Sequence, residues 1–398
     1  MENSIQQRKK SNFGGLICGC MALIIGFSTA VAAPLEQPSA LGGLDRNYTR
    51  ISPNGEVDLL DRPAMLVHQP ERSVLLDIAK AGNRIVAVGE RGIVILSDDN
   101  GKTWRQAKVP TSVSLISVDF PSSTQGWVVG HSGIVLHTKD GGETWVRQLD
   151  GMVAARIAFE AAQSDLKRMG ADNETAKSHS AAAHTLVDEG ADKPFLDLKF
   201  KNEKEGIIVG AFGLVFHTLD GGATWTSWVN RIDNPNGFHF YTIQIIDDLI
   251  FLAGEQGLFC CSKDGGKTFK RIVTPYRGSY FCSVVSQSGR LLIAGMNGNA
   301  YWYDDQNENF TRIDVPVPVS FSASITGTDG YIFLANQAGD ILRGREQDQA
   351  LSVLDGPRMV QTASLIQLLD GSFVVVGVGG VRQFPLSQNN DGKAGGAM

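Results

Sequence analysis

Apolar runs of four to seven residues, separated by turns rich in glycine and aspartate, recur from Leu75 to Phe384. In "RIVAVG" (84–89) both alternating sets are apolar or small, Ile85 with Ala87 and Val86 with Val88. A strand of that kind is covered on both faces. "LLDIAKAG", "RIVAVG", "GIVILS" and "TWRQAKVP" then read as four successive strands of an antiparallel meander, with an Asp-Gly turn before the fourth.

The meander repeats. "AVGERGIVILSDDNGKTW" (87–104), "VVGHSGIVLHTKDGGETW" (128–145), "IVGAFGLVFHTLDGGATW" (208–225) and "LAGEQGLFCCSKDGGKTF" (252–269) are one unit written four times, with looser copies at 293–310, 334–344 and 375–384. The corner after the second strand begins at Gly89, Gly130, Gly210, Gly254, Gly295, Asn336 and Gly377, in steps of 41, 80, 44, 41, 41 and 41. Seven four-stranded units of this length, each covering its neighbour's faces, predict an all-β fold, a seven-bladed β-propeller over 58–386. The last unit stops after three strands, and "PAMLVHQP" (63–70) resembles the fourth strands. Ala64 to His68 is therefore expected to clasp the ring as the outer strand of the last blade.

The long step holds an insertion at 151–192 between blades two and three. "MVAARIAFEAAQSDLKRMG" and "NETAKSHSAAAHTLVDEG" are Ala-rich and proline-free and end at Gly170 and Gly190, which predicts a helical hairpin. A connection this long is either functional or a decorative loop.

The ends differ in texture. Arg8, Lys9 and Lys10 precede an apolar run from Leu16 to Val31 that closes on Ala30-Val31-Ala32, the form of a secretory signal peptide over 1–32. A retained anchor or a lipid-modified Cys18 or Cys20 are the alternatives. Residues 33–57 read as a flexible N-terminal segment and 387–398 as a disordered tail. An exported, periplasmic or lumenal chain follows, with no transmembrane span after the leader. The net charge of −6 and the lack of a basic run argue against nucleic-acid binding. Outside the leader, Cys260, Cys261 and Cys282 form no disulfide framework; they are buried free thiols, or one pairs with Cys282. No metal spacing, P-loop or dinucleotide fingerprint occurs, so no cofactor and no metal is implied.

Within "HTKDGGETW" (137–145) a histidine and an aspartate suggest chemistry, but the stretch is one of four copies of Ser/Thr-x-Asp-x-Gly-x-Thr-Trp/Phe. Asp99, Asp140, Asp220 and Asp264 are placed to accept backbone hydrogen bonds in a turn, while Trp104, Trp145, Trp225 and Phe269 anchor it. The pattern resembles the Asp-box, or BNR, repeat. The resemblance puts these turns between third and fourth strands, away from the binding face, and gives them a structural role.

In a meander, the corners and the blade-to-blade connections emerge at the end opposite the Asp boxes. That face gathers Glu90, Arg91, His131, Phe212 and Glu255 from corners, and Arg72, His239, Tyr276, Arg277 and Arg358 from connections. Loops held by a rigid scaffold are where function concentrates, so these ten form the expected partner-binding face.

With the repeats, the blade count and the exported N-terminus, residues 60 to 386 resemble the photosystem II stability and assembly factor family and its bacterial relatives. The resemblance implies a non-catalytic propeller that binds a partner polypeptide while a membrane complex is assembled. It also implies an arginine-rich patch, of which only Arg91 is present here. The other corners hold Ser132, Phe212, Gln256, Asn297, Ala338 and Gly379. The expected function is an exported scaffold for a protein partner, an integral membrane protein or envelope complex such as a transporter. The alternatives are a sialidase-like glycoside hydrolase, for which Tyr276 is a candidate nucleophile, and a glycan- or lipid-binding propeller.

Overall fold

A computed structural model describes residues 57–358 and 361–385. The leader, the segment before Val57 and the 387–398 tail lie outside the described residues. The rest forms six four-stranded antiparallel sheets and one three-stranded sheet, each in simple meander order. Their first strands, Leu75–Ala81, Leu115–Asp119, Phe195–Phe200, Phe240–Ile246, Tyr280–Val285, Phe321–Thr326 and Thr362–Gln367, neighbour one another in a closed innermost ring.

The core is divided into seven interblade layers. Val86, Val88 and Leu96 of blade one meet Leu115, Val128 and Leu136 of blade two in one such layer. Leu75, Ile85 and Ile95 of blade one meet Ile366, Val374 and Val376 of blade seven in the layer that closes the ring. Second strands are buried at nearly every position because a blade packs against both faces, as "RIVAVG" predicts. Burying each Val, Ile or Leu contributes about 1.5–3 kcal/mol, so the layers carry most of the stability.

Close approach of backbone fixes the corner glycines. Gly130 has extended φ, so its need is spatial: a Cβ there would lie 2.2 Å from the Ser114 carbonyl oxygen of the incoming connection. The next corner residue but one is left-handed in five blades, at Arg91, Ser132, Phe212, Gln256 and Asn297. The corner residue Glu90 donates its N–H to Val74 O, and His131 does the same to Ser114 O. Corners and interblade connections thus share one end of the ring.

At the other end stand the Asp boxes. In blade two, Thr138 Oγ1 accepts from Gly142 N at 2.9 Å, and Asp140 accepts from Thr144 N at 3.0 Å and from the Thr144 hydroxyl. Trp145 Nε1 donates to Gly142 O at 2.9 Å. Hydrogen bonds from the hydroxyl and N–H of Thr103 hold the Asp99 carboxyl down at about 2. The side-chain oxygens of Thr138, Asp140 and Thr144 are thus all engaged in holding the turn. His137 is stacked on Trp127 at 4.4 Å, and Trp127 in turn on Phe200 at 3.8 Å. Burial, helped by Lys139, pushes that imidazole down to about 4. It is a neutral core histidine, and its ring nitrogens meet the side-chain amides of Gln125 and Gln148.

The expected clasp is overturned. Ala64 N donates to Val109 O, and Val67 N and Met65 O bond the side-chain amide of Gln106. The segment therefore runs outside the fourth strand of blade one, not that of blade seven. Thr111 and Ser112 bond Leu59 O, and Arg147 of blade two pairs with Asp61 at 2.8 Å. The physical reason is edge availability: the fourth strand of blade one, Arg105–Gln106, is only two residues long and leaves polar groups beyond it to be met.

The insertion is a helical hairpin of α1 (Gly151–Met169) and α2 (Glu174–Glu189). Asp150 caps α1 by accepting from Met152 N and Val153 N, both at 3.1 Å. Ala154, Ala158 and Ala162, spaced four apart, give α1 a flat face, and Ala154 and Ala158 join the layer between blades two and three. The hairpin is docked on the ring. Cys260, Cys261 and Cys282 are free and buried, and burial pushes their thiols up to about 12, 11 and 12.

Candidate binding face at the channel mouth

Each first strand opens with the same irregularity. Leu75 pairs with Gly89 and Asp77 with Val88, so Leu76 is an extra, bulged residue. The bulge recurs in all seven blades. It places Leu76, Ile116, Leu196, Tyr241, Phe281, Ser322 and Ala363, all half-buried, at the corner end of the innermost ring. Bulges re-aim side chains; here they make a channel mouth that is apolar over blades one to five and small over six and seven.

Directly after the bulge comes a ring of short residues, Asp77, Ser117, Asp197, Thr242, Cys282, Ala323 and Ser364, in equivalent register. The carboxylates bridge blades. Asp77 accepts from Val118 N of blade two at 2.8 Å, and Asp197 from Ile243 N of blade four at 2.9 Å. The inner edges of strands thereby gain partners that no further strand supplies. Ser117 Oγ lies 3.1 Å from Asp77 and 3.0 Å from Asp197. One hydroxyl has one proton, so a carboxyl must bring the second. Burial, with the charge of Asp77 adding, pushes Asp197 up to about 7; burial also raises Asp77. Lys199, paired with Asp119 at 3.0 Å, is the nearby cation.

Of the ten residues expected on this face, three come together. The Phe212 ring sits 5.0 Å from that of His239, and His239 Nδ1 is 3.3 Å from Glu255 Oε2. Phe212 N also donates to His239 Nδ1 at 3.3 Å. His239 reaches Tyr241 at 6.1 Å and Tyr241 reaches Phe281 at 5.4 Å, so this group continues into the mouth. Burial raises the Tyr241 phenol, with Glu255 adding. Lys193, paired with Glu189 of α2 and with Asp192, lies over the Phe212 ring at 4.6 Å. Phe212 is half exposed in a left-handed conformation that a bulky aromatic rarely adopts.

The others are dispersed around the ring. His131 is half-buried beside α1, and burial lowers its imidazole; a Cβ on Gly133 of that corner would lie 2.5 Å from Gly151 Cα. Tyr276 and Arg277 bring their backbones against Gly257. The Arg358 guanidinium donates to the buried Asp340 at 3.0 Å. Arg72 and Arg91 are exposed, and Glu90 is half-buried. Leu76, Ile116, Leu196, Tyr241, Phe281 and the Asp77–Ser117–Asp197 bridge were missed from the sequence. Their signal is the aligned triplet Leu-Leu-Asp, Leu-Ile-Ser, Phe-Leu-Asp, Phe-Tyr-Thr, Tyr-Phe-Cys that opens blades one to five. Among the described residues no group of three or more His, Cys, Asp or Glu could hold a metal ion, and no helix is long and apolar enough to cross a membrane.

Comparison with known proteins places these features. The curated "Photosystem II assembly lipoprotein Ycf48" of Synechococcus sp. (strain CC9902) is 36% identical over 77 residues, which span 19% of this chain and 23% of that relative's length. The solved structure "YCF48 bound to D1 peptide" superposes with a TM-score of 0.56 at 16% identity, over 82% of this chain and 97% of that one. The virginiamycin B lyase of Staphylococcus aureus shares the fold with a TM-score of 0.60 at 8% identity, over 81% and 97% of the two chains. The propeller alone therefore does not separate binders from enzymes. The sequence profile described as "Photosynthesis system II assembly factor YCF48" matches residues 60–155 and 176–315, more than half of the chain, and the chain belongs to that family.

Proposed function

We propose that this chain is an exported, non-catalytic scaffold whose channel mouth docks a polypeptide segment of a membrane-complex partner. The observation that carries the reading is the continuous aromatic group Phe212–His239–Tyr241–Phe281, which rises from the apolar mouth to a half-exposed, strained Phe212. Amphipathic aromatics on a rigid frame are typical anchors for a partner. Family membership supports it, as does the relative solved with a bound peptide. The docked segment is expected to bring an apolar or aromatic side chain, because the corner arginines implied by the resemblance are reduced to Arg91. α2, tied to Phe212 through Lys193, forms one wall.

Capture from detergent-solubilised envelope tests this reading. Phe212→Ala should lower affinity for the retained membrane protein at least about tenfold. Leu369→Ala, at an exposed turn on the Asp-box end, should change nothing. Undiminished capture by Phe212→Ala would remove the mouth as the docking site.

A further inference from the structure

At the Asp-box end of each blade the register brings three side chains together, those five residues before the start of the corner and seven and nine after it. In blade one they are Arg84, Leu96 and Asp98, and Arg84 Nε pairs with Asp98 at 2.6 Å. In blade two Gln125 meets His137 at 3.2 Å, and in blade three Glu205 lies 3.7 Å from His217. Lys263 of blade four donates to Asp305 O. Arg290 of blade five lies over the Trp302 ring at 5.4 Å and 3.9 Å from Glu346. Each charge in these five trios has a polar or oppositely charged neighbour within reach.

Blade six breaks the pattern. Its trio is Tyr331, Arg343 and Arg345, in a turn without an Asp box: Gly344, Arg345 and Glu346 stand where blade two has Thr138, Lys139 and Asp140. Arg343 lies opposite Phe333 and Gly344 opposite Ile332, which puts Arg345 opposite Tyr331. Arg343 Cζ is 5.1 Å and Arg345 Cζ 4.1 Å from the centre of the Tyr331 ring, so the two charges stand no more than about 9 Å apart. Both arginines are half-buried, and among the described residues no carboxylate pairs with either guanidinium. The nearby acids are turned elsewhere. Glu346 accepts from the hydroxyls of Ser286 and Ser288 in blade five, Asp348 from Arg345 N at 2.7 Å and Asp329 from Tyr331 N at 3.3 Å. Arg345 Nε is enclosed and has no hydrogen-bond partner among the described residues. Two like charges within about a Debye length repel, the more so where protein replaces water, and an enclosed donor without an acceptor is costly. An oxyanion would relieve both.

We propose that Arg343 and Arg345 form a binding site for a phosphate dianion, seated on the Tyr331 platform. Two guanidiniums match two negative charges, and their forked N–H groups suit phosphate oxygens; a single carboxylate would leave one positive charge over. Packing fixes the platform, since the Tyr331 ring lies 6.2 Å from Phe333 and Phe333 lies 4.8 Å from Phe373 of blade seven. The site is at the opposite end of the ring from the channel mouth and does not depend on docking there. A soluble phosphate and the phosphomonoester of a lipid headgroup share the chemistry it recognises.

Equilibrium dialysis of the full chain against radiolabelled inorganic phosphate at pH 8, with ionic strength held constant by chloride, tests the site. The unsubstituted protein should take up one phosphate per chain, half-saturated at or below about 1 mM. Arg343→Gln and Arg345→Gln, each checked for a cooperative melting curve, should weaken uptake at least about tenfold. Arg345→Lys, which keeps the charge but loses the fork, should fall between, and Arg312→Gln, at an exposed position on blade five, should bind as the unsubstituted chain does. Co-sedimentation with phosphatidylcholine vesicles containing phosphatidic acid, reduced in Arg343→Gln, would give the phosphate a lipid source; uptake of phosphate without vesicle binding would give it a soluble one. Absence of saturable uptake by the unsubstituted chain would overturn the proposal, as would full uptake by both Gln variants. Succinate competing as well as phosphate would also overturn it, by making the site one for carboxylates.

Discussion

Replacing Asp197 by Asn isolates the proton that the Asp77–Ser117–Asp197 bridge requires. Asp197 stands at about 7 in the fold against an ordinary 3.8. Three units at 1.36 kcal/mol each set a ceiling of about 4 kcal/mol. Asp77 shares the site and titrates with it, so about half of that, ~2 kcal/mol, is the change to look for. The sign follows from the raised value: the folded state holds the proton more tightly than the unfolded chain. Stability from this group is full below pH 4 and is lost as pH rises through 7. Histidines act oppositely. Burial lowers His131, His137 and His217, so their contribution is lost as pH falls below 6.5 and partly masks the trend in the unsubstituted protein. The gap between variant and unsubstituted protein cancels them. Asn is neutral but leaves one of the N–H groups of Leu198 and Ile243 without its oxygen, which costs about 1 kcal/mol. Urea unfolding followed by tryptophan fluorescence should therefore find Asp197→Asn less stable than the unsubstituted protein at pH 5. At pH 8 the gap should close or reverse, a shift of ~2 kcal/mol. An equal gap at both pH values would refute the shared proton.

Two further outcomes test the frame. Asp140→Ala strips three hydrogen bonds from one Asp box and should destabilise by about 1–3 kcal/mol, lowering the melting temperature by several degrees without affecting partner capture. The three buried thiols should ignore a thiol reagent at pH 8 in the native protein, and all three should react in denaturant; native labelling at Cys260 would mean that the layer between blades three and four opens.

The ring was legible because each blade repeats its own turn chemistry. Asp140, Thr144 and Trp145 can be read as one turn from four copies, and the buried doublets of "RIVAVG" give double-sided packing. The helical hairpin was legible from Ala154, Ala158 and Ala162 together with the terminal glycines. The path of Ala64–His68 was not, since it rests on the Val109 carbonyl and the Gln106 side chain of blade one and, just before it, on the pairing of Asp61 with Arg147 of blade two. The mouth was half legible. Phe212, His239 and Glu255 could be assigned to one face from meander geometry, but that they touch, and that Arg91 and Arg358 stand apart from them, depends on angles around the ring. The bulged residues were hidden because a single extra residue in a first strand looks like ordinary alternation until the register is known.

The layer between blades seven and one sets the order in which the molecule can be made. The Lys80 ammonium donates to Gln367 O and Gln383 to Asn100 O, contacts that span 287 and 283 residues of chain. A chain that emerges N-terminus first completes blade one long before blade seven exists. Its Leu75, Ile85 and Ile95 face must then wait, uncovered, until the strands between Thr362 and Phe384 have been made. Such a ring folds cooperatively only at the final step, and until then a sticky hydrophobic flank sits where a holding chaperone would have to grip.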